Sequence, residues 1–131
     1  MRRLSMGLVL MLVGCAVLPP PPKPGDYIDY RTMAYDRAKQ LTWGDVPADL
    51  QARARTCMVD ATLSYYTPDE MRKADAYARG GEAGMTTADL WKIDQDVRQR
   101  MGGHDGAEAA MERACPETVR DLKAWRAANP M

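Results

Sequence analysis

The chain has 131 residues, with 18 Lys and Arg against 18 Asp and Glu for a net charge of zero. That length bounds the fold to one small domain around one core. No Lys/Arg block appears, which excludes the electrostatic footprint of a nucleic-acid binder and gives no steering toward anionic lipid.

The first segment opens Met1-Arg2-Arg3, runs apolar from Leu4 to Val13 with Ser5 and Gly7 as breaks, and closes on Leu12-Val13-Gly14-Cys15. A basic start, a short apolar run and a small residue at its end describe a secretory signal. The stretch 4–18 is about 15 residues, short of the roughly 18 that a membrane-spanning helix needs. Leu12-Val13-Gly14-Cys15 resembles the lipobox of bacterial lipoprotein signal peptides. The resemblance implies that residues 1–14 are removed, that the Cys15 thiol receives a diacylglyceryl group, and that the new amino terminus is acylated, as with palmitate. Ala16 in place of Asp implies, by the sorting pattern of such lipoproteins, an outer-membrane location facing the periplasm. Loss of Arg2 and Arg3 with the leader takes two of the 18 basic residues, so the mature chain carries about −2.

Pro19-Pro20-Pro21-Pro22-Lys23-Pro24 follows. Consecutive prolines favour polyproline II at about 3.1 Å per residue, so 15–26 reads as a lipidated cysteine on a stiff tether. A helical domain, 27–131, is expected beyond it. With Cys15 assigned to lipid, Cys57 and Cys115 remain as a pair. In an oxidising envelope compartment such a pair reads as a structural disulfide. A zinc site is not expected, because only His104 could join the two cysteines and the three lack ligand spacing.

Within the domain, Asp26 is positioned to cap a first helix on which Tyr27, Tyr30, Ala34, Ala38 and Leu41 recur at helical steps. Trp43-Gly44 ends it. Asp45 caps a second, with Pro47 in its first turn and a core stripe of Leu50, Ala54, Cys57, Ala61 and Tyr65. Thr67-Pro68-Asp69-Glu70 is a capping box for a third helix through Met71, Ala74, Tyr77 and Ala78, which stops at Gly80-Gly81. Thr86 with Asp89 starts a fourth, striped by Leu90, Ile93, Val97 and Met101, and Gly102-Gly103 ends it. Asp105 with Glu108 marks a fifth through Ala109, Met111, Ala114 and Cys115. Pro116 either kinks or restarts that helix before Val119, Leu122 and Trp125. No stretch alternates with period two, so the fold class is all-α: a compact bundle of about five short helices stapled by one disulfide.

The segment from Leu63 to Gly80 is similar to a family of small helical envelope domains of unknown function. The match consists of Tyr66, Thr67, Glu70, Tyr77 and Gly80, which is largely capping chemistry. It implies an architecture and carries no functional residue.

Candidates for chemistry are few. His104, the single histidine, stands beside Asp105 and could serve as a general base, although an exposed turn next to a helix cap explains both residues. Ser64 and Thr62 lie within a helix without an identifiable base. Asp94 and Asp96 point to different helix faces, while Asp69 and Glu70 suit a first turn. Neither a calcium ladder nor a phosphate loop nor a dinucleotide fingerprint is present, so no metal or cofactor is expected. Phe is absent, and three Trp with six Tyr supply the aromatics. Such side chains suit half-buried seams and interfaces, which makes Trp91, Tyr66 and Trp43 candidates for contact with a protein partner. The expectation is a non-catalytic envelope lipoprotein: a tethered helical protein-binding or structural module, in a narrower version an immunity-type inhibitor of a toxin or lytic enzyme. Two alternatives stand beside it. One is a small envelope hydrolase centred on His104 and Asp105. The other is a helical domain holding an apolar ligand among Met58, Met71, Met101 and Met111.

Overall fold

The computed structural model describes residues 25–81 and 84–130. The leader, Cys15 and most of the proline tether lie outside the described residues. The described residues form six α-helices and no strand: α1 Tyr30–Ala38, α2 Ala48–Leu63, α3 Pro68–Ala78, α4 Thr87–Met101, α5 Gly103–Ala114 and α6 Pro116–Ala128. The all-α class holds, with Pro116 restarting the chain as α6 rather than kinking α5.

Local chemistry sets most of the boundaries. Both expected capping boxes on α3 and α4 form: Thr67 accepts from the Glu70 amide and Glu70 accepts from the Thr67 amide, and Thr86 and Asp89 do the same. Three starts differ from expectation. α1 is capped by Asp29, which accepts the Thr32 amide at 2.7 Å, and not by Asp26. The Tyr30 amide goes instead to Asp75 of α3 at 2.8 Å, a partner that lies 45 residues away. This shorter helix leaves Leu41 beyond its end and 44% exposed. α2 has Pro47, not Asp45, at its N-cap position and no side-chain cap. Gln51 secures that loop from within, donating to the Val46 carbonyl at 2.7 Å and accepting from the Trp43 amide at 3.3 Å.

α5 starts at Gly103, without the Asp105–Glu108 box. A Cβ at Gly106 would collide with the Met101 carbonyl oxygen, so the end of α4 lies against the first turn of α5 with no room for a side chain. At the opposite end of the domain Gly25 donates to the Ala78 carbonyl at 2.7 Å. A Cβ built on Gly80, at φ +110°, would stand 3.3 Å from the Gly25 Cα, so the close approach at the end of α3 needs both glycines.

The helices pack as a ring. α1 lies on α2 and α3, α3 on α4, α4 on α5, and α5 returns to α2, while α6 sits outside against α2 and α5. The ring encloses one cluster: Tyr30, Met33 and Ala38 of α1; Val59 and Leu63 of α2; Ala74, Tyr77 and Ala78 of α3; Leu90, Ile93 and Val97 of α4; and Tyr66 from the α2–α3 turn. These are the i, i+3, i+4 positions that an amphipathic helix turns inward. Glu70 and Arg100 close the α3–α4 seam through two hydrogen bonds of 2.8 and 3.2 Å, and the guanidinium holds the Glu70 carboxyl below its ordinary value.

α6 contributes no residue to that cluster. It is fastened by Thr118 and Val119, which are buried, by the Arg53–Asp121 ion pair at 2.8 Å, and by the Cys57–Cys115 pair, whose Cα atoms are 6.0 Å apart. Cys57 lies on the buried face of α2 and Cys115 between α5 and α6, so the staple joins elements 58 residues apart. A loop of that length corresponds to about 4 kcal/mol of chain entropy removed from the unfolded state. The Cys57→Ser/Cys115→Ser variant should lose about 2–5 kcal/mol in urea unfolding, with α6 amides losing exchange protection first. An unchanged midpoint would contradict the staple.

Candidate functional site

Inside the ring, α1 and α2 face α4 and α5 across a groove of about 710 Å³. Each wall is built by helical spacing. α1 presents Ala34, Arg37 and Ala38; α2 presents Met58, Thr62 and Leu63; α4 presents Asp94, Arg98 and Met101; α5 presents His104 and Ala107. The alanines keep the space open opposite the longer methionine and leucine side chains. The floor is therefore apolar, and Arg37, Arg98 and His104 stand at the exposed rim.

A polar cluster lies at the base. The Tyr66 hydroxyl donates to Asp94 Oδ1 at 2.8 Å and lies 3.3 Å from the Tyr30 hydroxyl. The two rings are tilted by 38° with centroids 5.7 Å apart, a favourable aromatic geometry. Burial, reinforced by the neighbouring Tyr30 hydroxyl and the Asp94 carboxylate, pushes the Tyr66 phenol far above its ordinary value. Burial followed by the Asp94 charge raises Tyr30 in the same way. Both phenols stay protonated across the neutral range. Outside the groove, the hydrogen bond from Tyr27 to Asp36, 2.5 Å, pushes the Tyr27 phenol up to about 12.

Three arginines at helix seams are matched to carboxylates, while Arg55 and Arg113 donate instead to the Leu41 carbonyl and the Tyr65 hydroxyl. Arg31 pairs with Asp60, Arg53 with Asp121 and Arg100 with Glu70. Among the described residues, Arg37 and Arg98 make no ion pair.

The residues singled out by sequence fall in different places. Trp91 is 63% exposed on α4, off the Leu90–Ile93–Val97 stripe as its spacing suggests. Tyr66 is buried, with its ring in the core cluster and its side chain in the groove lining; Tyr65, expected on the α2 stripe, is the half-buried one of the pair. Trp43 is half-buried under the Arg55 guanidinium, 5.9 Å from its ring centre. His104 is not a turn residue: it lies exposed in the first turn of α5 at the groove rim, whereas Asp105 is no part of the lining. Thr62 and Ser64 donate to the Met58 and Ala61 carbonyls at 2.8 and 2.6 Å, which commits both hydroxyls to backbone. Of the four methionines, Met58 and Met101 line the groove; Met71 packs on the core cluster instead, and Met111 is not in the lining. Among the described residues no group of His, Cys, Asp and Glu could hold a metal ion, and no helix is long and apolar enough to cross a membrane.

The sequence reading missed Arg37, Arg98 and the role of Asp94. The helical steps 34–37–38 and 94–98–101 contained the signal, but only packing reveals that both faces meet over one cavity. Compared with known proteins, the chain matches no protein-family model, no curated protein and no solved structure.

A group whose folded pKa lies above its unfolded value stabilises the fold below the unfolded pKa, and that contribution is lost as pH rises toward the folded one. For Tyr66 and Tyr30 the unfolded value is 10.0, so stability should fall as pH climbs beyond it. Urea midpoints from pH 8 to 11 check this: the decline should be steep in the wild type and shallower in Tyr66→Phe. Equal slopes would show that the buried phenols are not its source.

Proposed function

We propose that this protein is a non-catalytic, lipid-anchored binding module of the bacterial cell envelope, held on a proline-rich tether through Cys15, with the groove as its binding site. The observation that carries this reading is the pair of arginines without ion-pair partners above an apolar floor. Arg55 and Arg113 also lack a carboxylate but are bonded within the fold, whereas among the described residues no hydrogen bond or ion pair holds the Arg37 or Arg98 side chain, so two unmatched cations around a concave apolar surface favour an external ligand. Support for the anchor is the lipobox-like Leu12-Val13-Gly14-Cys15, followed by a spacer that lifts the domain off the bilayer. The hydrolase alternative has less behind it: His104 reaches the groove without Asp105, and the nearby hydroxyl of Thr62 is committed to backbone.

A second reading, contact with a protein partner of the immunity or inhibitor kind, is favoured by the exposure of Trp91. Pull-down from membranes with the wild type and Trp91→Ala separates the two: dependence on Trp91 supports a protein interface, and independence leaves the groove as the working surface.

The anchor has its own test. Cys15→Ser should move the protein from the detergent phase to the aqueous phase and abolish the mass increase of the processed chain. A variant that stays membrane-bound would overturn the lipid reading.

A further inference from the structure

We infer that the groove binds a free fatty acid, its hydrocarbon chain laid along the apolar floor and its carboxylate held between Arg37 and Arg98. This rests on the groove being the binding site. The floor supplies the hydrocarbon match: Met58 and Leu63 of α2 and Met101 of α4 line it, and unbranched methionines adapt to a flexible chain. Leu41, 44% exposed, adds further apolar surface to the lining.

The headgroup follows from charge. Arg37 and Arg98 come from α1 and α4, on opposite walls, and neither makes an ion pair among the described residues. Guanidinium groups take a carboxylate through charge-assisted and often bidentate hydrogen bonds. Asp94 is the single carboxylate of the lining, and it accepts from Tyr66 at the base. Its negative charge opposes an acid bound carboxylate-down, which fixes the headgroup at the rim.

The groove, about 710 Å³, lies within the roughly 300–1,000 Å³ of small-ligand sites, which suits a single extended chain.

The test uses the full lipidated protein in detergent-free nanodiscs and laurate below its micelle concentration, read by calorimetry and by amide shifts of residues 34–41 and 94–107. Laurate should bind and shift those amides. Arg37→Gln/Arg98→Gln should weaken it at least tenfold, and Ala107→Trp, which places a ring in the groove from α5 outside the core cluster, should abolish it. Dodecanol binding as tightly as laurate would overturn the role of the arginines. Tighter binding of a lysophospholipid or of an acidic helical peptide would overturn the assigned occupant. Absence of laurate binding overturns the proposal altogether. A photoreactive residue at position 41 of the membrane-bound protein keeps the two readings apart. If it captures envelope material while laurate fails to bind, the groove remains a binding site and only the fatty acid is wrong. If it captures nothing and laurate fails, both readings fall.

Discussion

The hydrogen bond from the Tyr66 hydroxyl to Asp94, 2.8 Å long, joins the turn between α2 and α3 to the middle of α4 directly beneath the groove. Tyr30 of α1 stacks against the same ring, so three separate parts of the ring of helices meet at one polar cluster. A half-buried carboxylate in such a place is costly unless a donor satisfies it, and no buried side-chain polar atom is without a partner among the described residues. The cluster also decides where apolar packing stops. Leu90, Ile93 and Val97 continue the core on one side, and the groove opens on the other. Replacing the cluster with hydrocarbon would fill the base of the cavity; leaving one partner alone would strand a charge.

Around that centre the domain is fastened unequally. The α1–α4 part shares the hydrophobic cluster, capping boxes and the Glu70–Arg100 bridge. α5 and α6 contribute no residue to that cluster and depend on close backbone approach at Gly106, on Ala110 and Val119, and on the cysteine pair. For a domain of this size one covalent link substitutes for a second core. It also ties the C-terminal end of α5 to α2.

How far these features were legible in the sequence depends on how local their chemistry is. Thr67 with Glu70 and Thr86 with Asp89 mark helix starts within four residues, and both boxes form. Cys57 on a core stripe and Cys115 at the end of α5 could be paired because parity leaves no other partner. Asp29 displaces Asp26 as a cap because the Tyr30 amide is taken by Asp75, a contact that no local pattern contains. The Asp105 box fails as well: α5 starts at Gly103, and its first turn lies against the end of α4. Tyr66 suits a partner contact by composition alone, and only packing shows its ring buried against Tyr30. Arg37 and Arg98 look like ordinary solvated helix positions, and their lack of an ion pair is a tertiary fact. Trp91 is the opposite case, because one residue of offset from a clean stripe suffices to place it outside.

A double-mutant cycle between Tyr66→Phe and Asp94→Ala, followed by urea unfolding at neutral pH, tests most directly whether the bond between these residues organises the ring and the groove above it. A hydrogen bond to a half-buried carboxylate should give a coupling energy of about 1–2 kcal/mol, with each single variant losing most of what the double variant loses. Additivity within about 0.3 kcal/mol would mean that the two side chains act independently, and the account of the fold would have to be rebuilt around another contact.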